Sequence, residues 1–166
     1  MATSIRHHIG PLPQLNSRTQ FVYQPAPKPP TKLNKVGHHN VTAGYLLGAF
    51  MLLLGGIALP LQHGVQFHGK NGEAILGVLK MNPLLCFTYL GAGTLLVLAA
   101  WLGPLPAHIM NTLLGVLLVL IGVLGIFIWT SSANILALSP ATNAVHVAIG
   151  TALLIVGLRP IRAFND

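Results

Sequence analysis

The stretch SPATNAVHVAIGTALLIVGL, Ser139 to Leu158, decides the fold. It is an apolar run of about the 20 residues that a bilayer-spanning helix needs. Its start signal stands in front of it. Ser139 can accept a bond from a free N–H of the first turn, and Pro140 suits the first helical position because its missing N–H would have no partner there. An earlier stretch, NPLLCFTYLGAGTLLVLAAWL from Asn82 to Leu102, copies the layout. With a shift of 57 positions, Asn82-Pro83 falls on Ser139-Pro140, Leu79 on Leu136, Tyr89 on His146 and Gly93 on Gly150.

Composition agrees with a membrane setting. The 166-residue chain is 53% hydrophobic and 7% charged, where a soluble domain carries about 25% charged residues. So few charges cannot cover a water-facing surface. The net charge of +7 sits mainly on the flanks of apolar helices, which fits membrane orientation and anionic headgroups rather than nucleic acid. A single cysteine, Cys86, excludes an internal disulfide and any Cys-based zinc site. A signal peptide is not expected, since the first apolar run begins near residue 41 behind a polar arm.

Two further spans complete the pattern. Helix 1 is expected over about 40–59, ended by Pro60, and helix 3 over about 109–129, after a turn through Gly103-Pro104 to His108. Helices 2 and 4 are expected over 83–102 and 140–158. The connection 60–81 is the longest, and its apolar piece from Ala74 to Leu79 is too short to span, so it is expected at the interface. Ahead of the spans, residues 1–36 read as an extended, basic, Pro-rich arm. Phe21, Val22 and Tyr23 are its apolar anchors for a partner surface. Lys28, Lys32, Lys35, Arg159 and Arg162 flank the terminal sides of helices 1 and 4, against Lys70 and Lys80 on the other side. Both termini are therefore expected in the cytoplasm or its equivalent.

Helix 3 echoes helix 1. GYLLG at 44–48 falls on NTLLG at 111–115 with a shift of 67, which also places Gly55 on Gly122. The reading is an all-α membrane protein of four transmembrane helices, formed as two parallel-repeat hairpins over residues 37–166. Each helix holds small residues seven apart: Gly48 and Gly55, Gly93 and Ala100, Gly115 and Gly122, Gly150 and Gly157. Gly44 and Gly48 add a GxxxG pair. Lipid gives helices no hydrophobic reason to associate, so close backbone approach at such positions supplies the contact.

This layout resembles a widespread bacterial four-helix membrane family known as a domain of unknown function. The resemblance covers about residues 37–158 and rests on Asn82, Pro83 and Gly93 in the first copy and Pro140, Asn143, His146 and Gly150 in the second. It implies a helical repeat that opens with an Asn-Pro-like start, followed by Asn or His, then His, then Gly. The first copy departs from that pattern at Leu85, Cys86 and Tyr89, so a role needing two matched histidines is not implied.

His146 is the foremost chemical candidate, being an ionisable group about two turns inside helix 4. A ring nitrogen there suits a chlorophyll-type pigment magnesium or a haem iron. Asn143 is placed to orient it, and a hydrogen bond to a neighbouring helix, with Tyr89 as partner, is the plainer alternative. His39 and His108, near the cytoplasmic ends of helices 1 and 3, are further candidate ligands. No metal site is expected, because no carboxylate completes the His63/His68 or His7/His8 pairs. The only acids are Glu73 in a loop and Asp166 at the end, so the carboxylates of a proton relay or cation path are missing from the spans. No phosphate loop or nucleophile elbow is present, and an enzyme is not expected.

The leading expectation is a non-catalytic accessory subunit packed against a larger membrane complex, photosynthetic or respiratory, with pigment or lipid on its helix faces. The alternatives are a small stand-alone transporter or channel and a cofactor-binding membrane protein.

Overall fold

Asn82 and Ser139 each open a helix as their positions require. In the computed structural model, which describes residues 31–159, both caps are in extended backbone and both accept a backbone N–H, Asn82 from Leu85 and Ser139 from Thr142. The helices they start are α2, Pro83–Leu102, and α4, Pro140–Gly157. Helix α1 runs Thr31–Ala58 and α3 runs Pro104–Ile128. Among the described residues these four helices are long and apolar enough to cross a membrane, with spans Gly37–Leu61, Pro83–Leu102, Pro104–Ile128 and Pro140–Gly157. Helix α1 packs most extensively on α2, and α3 on α4. The chain is thus an integral membrane protein of two helical hairpins.

Two helix starts differ from expectation. Helix α1 begins at Thr31 rather than Asn40, so residues 31–36 are helical and not part of an extended arm. No proline or glycine lies between Pro30 and Gly37, and a helix nucleated in the apolar span extends back through TKLNKV at little cost. Helix α3 begins at Pro104, so the link to α2 is Gly103 alone and residues 104–108 are helix, not turn. Pro104 and Pro106 hid this start. A first turn has N–H groups without intrahelical partners, so prolines there remove no bond. Gly103 has φ +119°, which an L side chain rarely adopts. At the end of α1, Leu59–Leu61 form a 3₁₀ turn around Pro60. The rest of the arm, with Phe21 and Tyr23, lies outside the described residues.

The Ala74–Leu79 run is a hairpin. Strand β1, Glu73–Ile75, pairs antiparallel with β2, Leu79–Met81. Leu76 and Gly77 both have positive φ and Val78 N–H bonds Ile75 O, as a tight I′-type turn requires. Ile75 and Met81 are buried in the core, while Leu76 projects outward.

The glycines place the helix pairs in matching register. A Cβ built on Gly48 would lie 2.9 Å from Gly93 O, and one on Gly93 2.7 Å from Gly48 O. In the second hairpin the equivalent distances are 3.0 Å from Gly115 to Gly150 O and 2.8 Å from Gly150 to Gly115 O. Gly55 meets Cys86 O and Gly122 meets Asn143 O, each at 2.8 Å. The sequence shifts that align Gly48 with Gly115 and Gly93 with Gly150 also align these pairs. Gly157 packs against Thr112.

Candidate functional site

Polar side chains inside the bundle are few, and most are spent on holding it together. Asn82 accepts the Leu85 N–H at 2.9 Å and donates through Nδ2 to Gly69 O at 3.0 Å and Ile135 O at 2.9 Å. It thereby ties α2 to both long loops. The second repeat answers in kind: Thr142 Oγ1 donates to Lys80 O at 2.9 Å. Between these arms Gly69 and Leu136 form a short parallel bridge. Asn134 folds the α3–α4 loop on itself, donating to Trp129 O and Leu138 O and accepting from Leu138 N–H. At the other end of the bundle Asn111 Nδ2 donates to Asn40 O at 2.9 Å and Asn40 Oδ1 at 3.1 Å, joining α3 to α1.

Tyr89 and His146 are repeat equivalents, and they meet. Their ring centroids are 5.3 Å apart with the planes tilted by 56°. Residues that correspond in two repeats and touch one another must lie at the pseudo-twofold axis relating the hairpins. Both side chains are closed off, at 1% and 0% exposure. His146 Nδ1 lies 2.9 Å from Thr142 O. A carbonyl only accepts, so this bond puts the ring proton on Nδ1 and leaves a lone pair on Nε2. Neither Nε2 nor Tyr89 Oη has a hydrogen-bond partner. The expected Tyr89–His146 pairing is therefore present as ring contact but not as a hydrogen bond.

Asn143, one turn before His146, is 2% exposed, and both its amide atoms lack partners. It leans on Gly125 of α3, where a Cβ would collide with the amide. In the first hairpin the equivalent positions hold Cys86 and Ala58, both fully buried. The smaller Cys86 leaves room for the alanine methyl group, and the larger Asn143 requires glycine.

The remaining candidates lie elsewhere. His39 is exposed on α1. His108 is partly buried in the first turn of α3, with an unpartnered Nδ1. Both are at the opposite end of the bundle from His146, and no group of three His, Cys, Asp or Glu side chains converges among the described residues. His146 itself offers no open face to a macrocycle. Asn40 and Asn134 carry no motif in the sequence, and Asn111 stands there only as one of the few polar positions within a span. Their one visible signal is that each is an Asn at the edge of an apolar run.

No curated protein and no solved structure matches the chain. The profile of a domain of unknown function, DUF4383, matches residues 38–159, from the first turns of the first span to the end of the last. The glycine-paired hairpins, the two capped helix starts and the Tyr89–His146 axis all lie within that match, and the chain belongs to the DUF4383 family of integral membrane proteins.

Proposed function

We propose that the protein is a non-catalytic accessory subunit that packs against a larger membrane complex, with both termini in the cytoplasm. The observation carrying this reading is how the polar groups of the bundle are used. Asn40, Asn82, Asn111, Asn134, Ser139 and Thr142 cap helices or cross between segments, so among the described residues most polar side chains of the bundle serve to hold it together. Large apolar side chains such as Phe50, Trp101, Phe127 and Ile155 cover the outside, offering broad faces to lipid and to other helices. The flanking charges of the two terminal segments support the orientation.

The test is purification of the tagged protein from its own membranes in a mild detergent. Migration within a large assembly is expected, together with weakened association when residues 1–30 are deleted and the bundle still inserts. Migration alone, with no co-purifying protein by mass spectrometry, would overturn the subunit reading. An absorption spectrum of the same fraction bears on a pigment or haem.

A further inference from the structure

The two repeats share one plan, and they part company at one place. At the start of α2 the first repeat has Cys86 followed by Phe87, and Phe87 stacks near Phe67 with ring centroids 6.2 Å apart. The equivalent positions of α4 hold Asn143 and Ala144. The aromatic cover is gone there, and in its place a groove of about 470 Å³ runs between α3 and α4, lined by Ile126, Trp129, Ala144, Val147 and Ala148 with Asn143 at its base. Directly beside the groove is a second hollow of about 370 Å³ that includes Lys70, Lys80 and Ser139. The two hollows share Trp129 and Pro140. Within the described residues neither lysine is ion-paired.

We propose that this continuous seam binds one anionic phospholipid from the surrounding leaflet. The order of chemistry along the seam is the order along such a molecule. Lys70 and Lys80, at the loop end of the bundle, receive the phosphate. Trp129 stands at the headgroup level where its amphipathic ring belongs. Asn143 lies three residues into the helix from Pro140, about 4.5 Å deeper along the axis. The ester carbonyls of a phospholipid lie just inside the phosphate, at the depth where the groove wall is α4 backed by Asn143, whose amide is turned onto Gly125. Ala144, Val147 and Ala148 then leave the width for an acyl chain. A neutral lipid fills the groove but gives the lysines nothing, and a free phosphate meets the lysines but leaves the groove empty. This site stands apart from any partner complex and does not depend on one.

The experiment uses the full chain, purified and delipidated in a neutral detergent. Thermal unfolding is followed during titration with phosphatidylglycerol, phosphatidylcholine or glycerol 3-phosphate, and native mass spectrometry counts the lipids retained. One retained phosphatidylglycerol and a saturable rise in melting temperature are expected, with little effect of the other two probes. Replacing both lysines (K70A with K80A) should weaken the apparent affinity roughly 30-fold, at about a factor of five for each membrane-facing charge. Ala144→Phe, which restores the aromatic of the first repeat at an exposed position, should abolish the titration while the lipid-free melting temperature stays near wild type. Equal stabilisation by phosphatidylcholine would overturn the proposal, as would stabilisation by glycerol 3-phosphate alone. So would a phosphatidylglycerol response that survives Ala144→Phe. If Ala144→Phe instead changes the oligomeric mass and phosphatidylglycerol has no effect, the groove is a helix-docking surface and the lipid proposal fails.

Discussion

Gly91 and Gly93 sit two residues apart on α2 and separate two effects that are usually confounded. A Cβ on Gly91 would have nothing within 4 Å, whereas one on Gly93 would lie 2.7 Å from Gly48 O and 3.0 Å from Leu52 N. Ordinary contact begins near 3.4 Å, and two of the three nearest neighbours at Gly93 are backbone atoms, which cannot rotate away. Alanine improves intrinsic helix propensity over glycine by about 1 kcal/mol at either position. Taking the difference between Gly93→Ala and Gly91→Ala cancels that gain and isolates the overpacking cost, about 1–3 kcal/mol. Gly91→Ala is therefore expected to be neutral or mildly stabilising, and Gly93→Ala to destabilise. Gly150→Ala, the repeat equivalent against Gly115 O, should match Gly93→Ala in sign and size. The assay is reversible unfolding of the purified chain in mixed micelles of increasing denaturing-detergent fraction, read by fluorescence of Trp101 and Trp129. If Gly93→Ala and Gly91→Ala agree to within about 0.5 kcal/mol, the range of an ordinary surface substitution, the backbone seam does not hold the hairpin and the reasoning fails.

Other outcomes follow from single contacts. Asn82→Ala removes a helix cap and two cross-loop bonds and is expected to cost about 2–4 kcal/mol, while Asn82→Ser keeps the cap acceptor and should recover about 1 kcal/mol of it; equal losses in the same unfolding assay would show that the cap contributes nothing. Gly103→Ala forces a side chain into positive φ and should lose about 1–2 kcal/mol with no packing clash to blame, which an unchanged midpoint would contradict. Gly125→Ala should destabilise alone and be largely rescued by Asn143→Cys, which copies the Ala58/Cys86 pair of the first hairpin. A double-mutant cycle showing independent, additive effects would contradict the fit of Asn143 against Gly125.

What the sequence made legible was written in local grammar. Asn82-Pro83 and Ser139-Pro140 fix helix starts through groups a few residues away, and both caps form as the sequence implies. The glycine shifts of 57 and 67 carried the register of both hairpins, because each hairpin uses the same faces. The start of α3 was obscured for a physical reason: Pro104 and Pro106 resemble breakers anywhere but in a first turn. The start of α1 was obscured because polar residues such as Lys32 and Asn34 carry no apolar period, yet a helix already formed runs through them. The second use of Asn82, reaching Gly69 and Ile135, has no sequence signature because its partners are backbone carbonyls, which every residue has. His146 stood out as a polar residue in a span, but its meeting with Tyr89 followed only from the repeat. The open groove beside Asn143 needed coordinates, since its cause is an aromatic missing relative to the other repeat.

Gly103 joins the hairpins by one residue at one end, and the bonds of Asn82 and Thr142 stitch their loops at the other. A body fastened at both ends resists swinging open like a clamshell, since opening would break these bonds. Thickness changes in the bilayer will therefore be met by tilting of the bundle as a unit, with the lipid rather than the protein deforming to make up the difference.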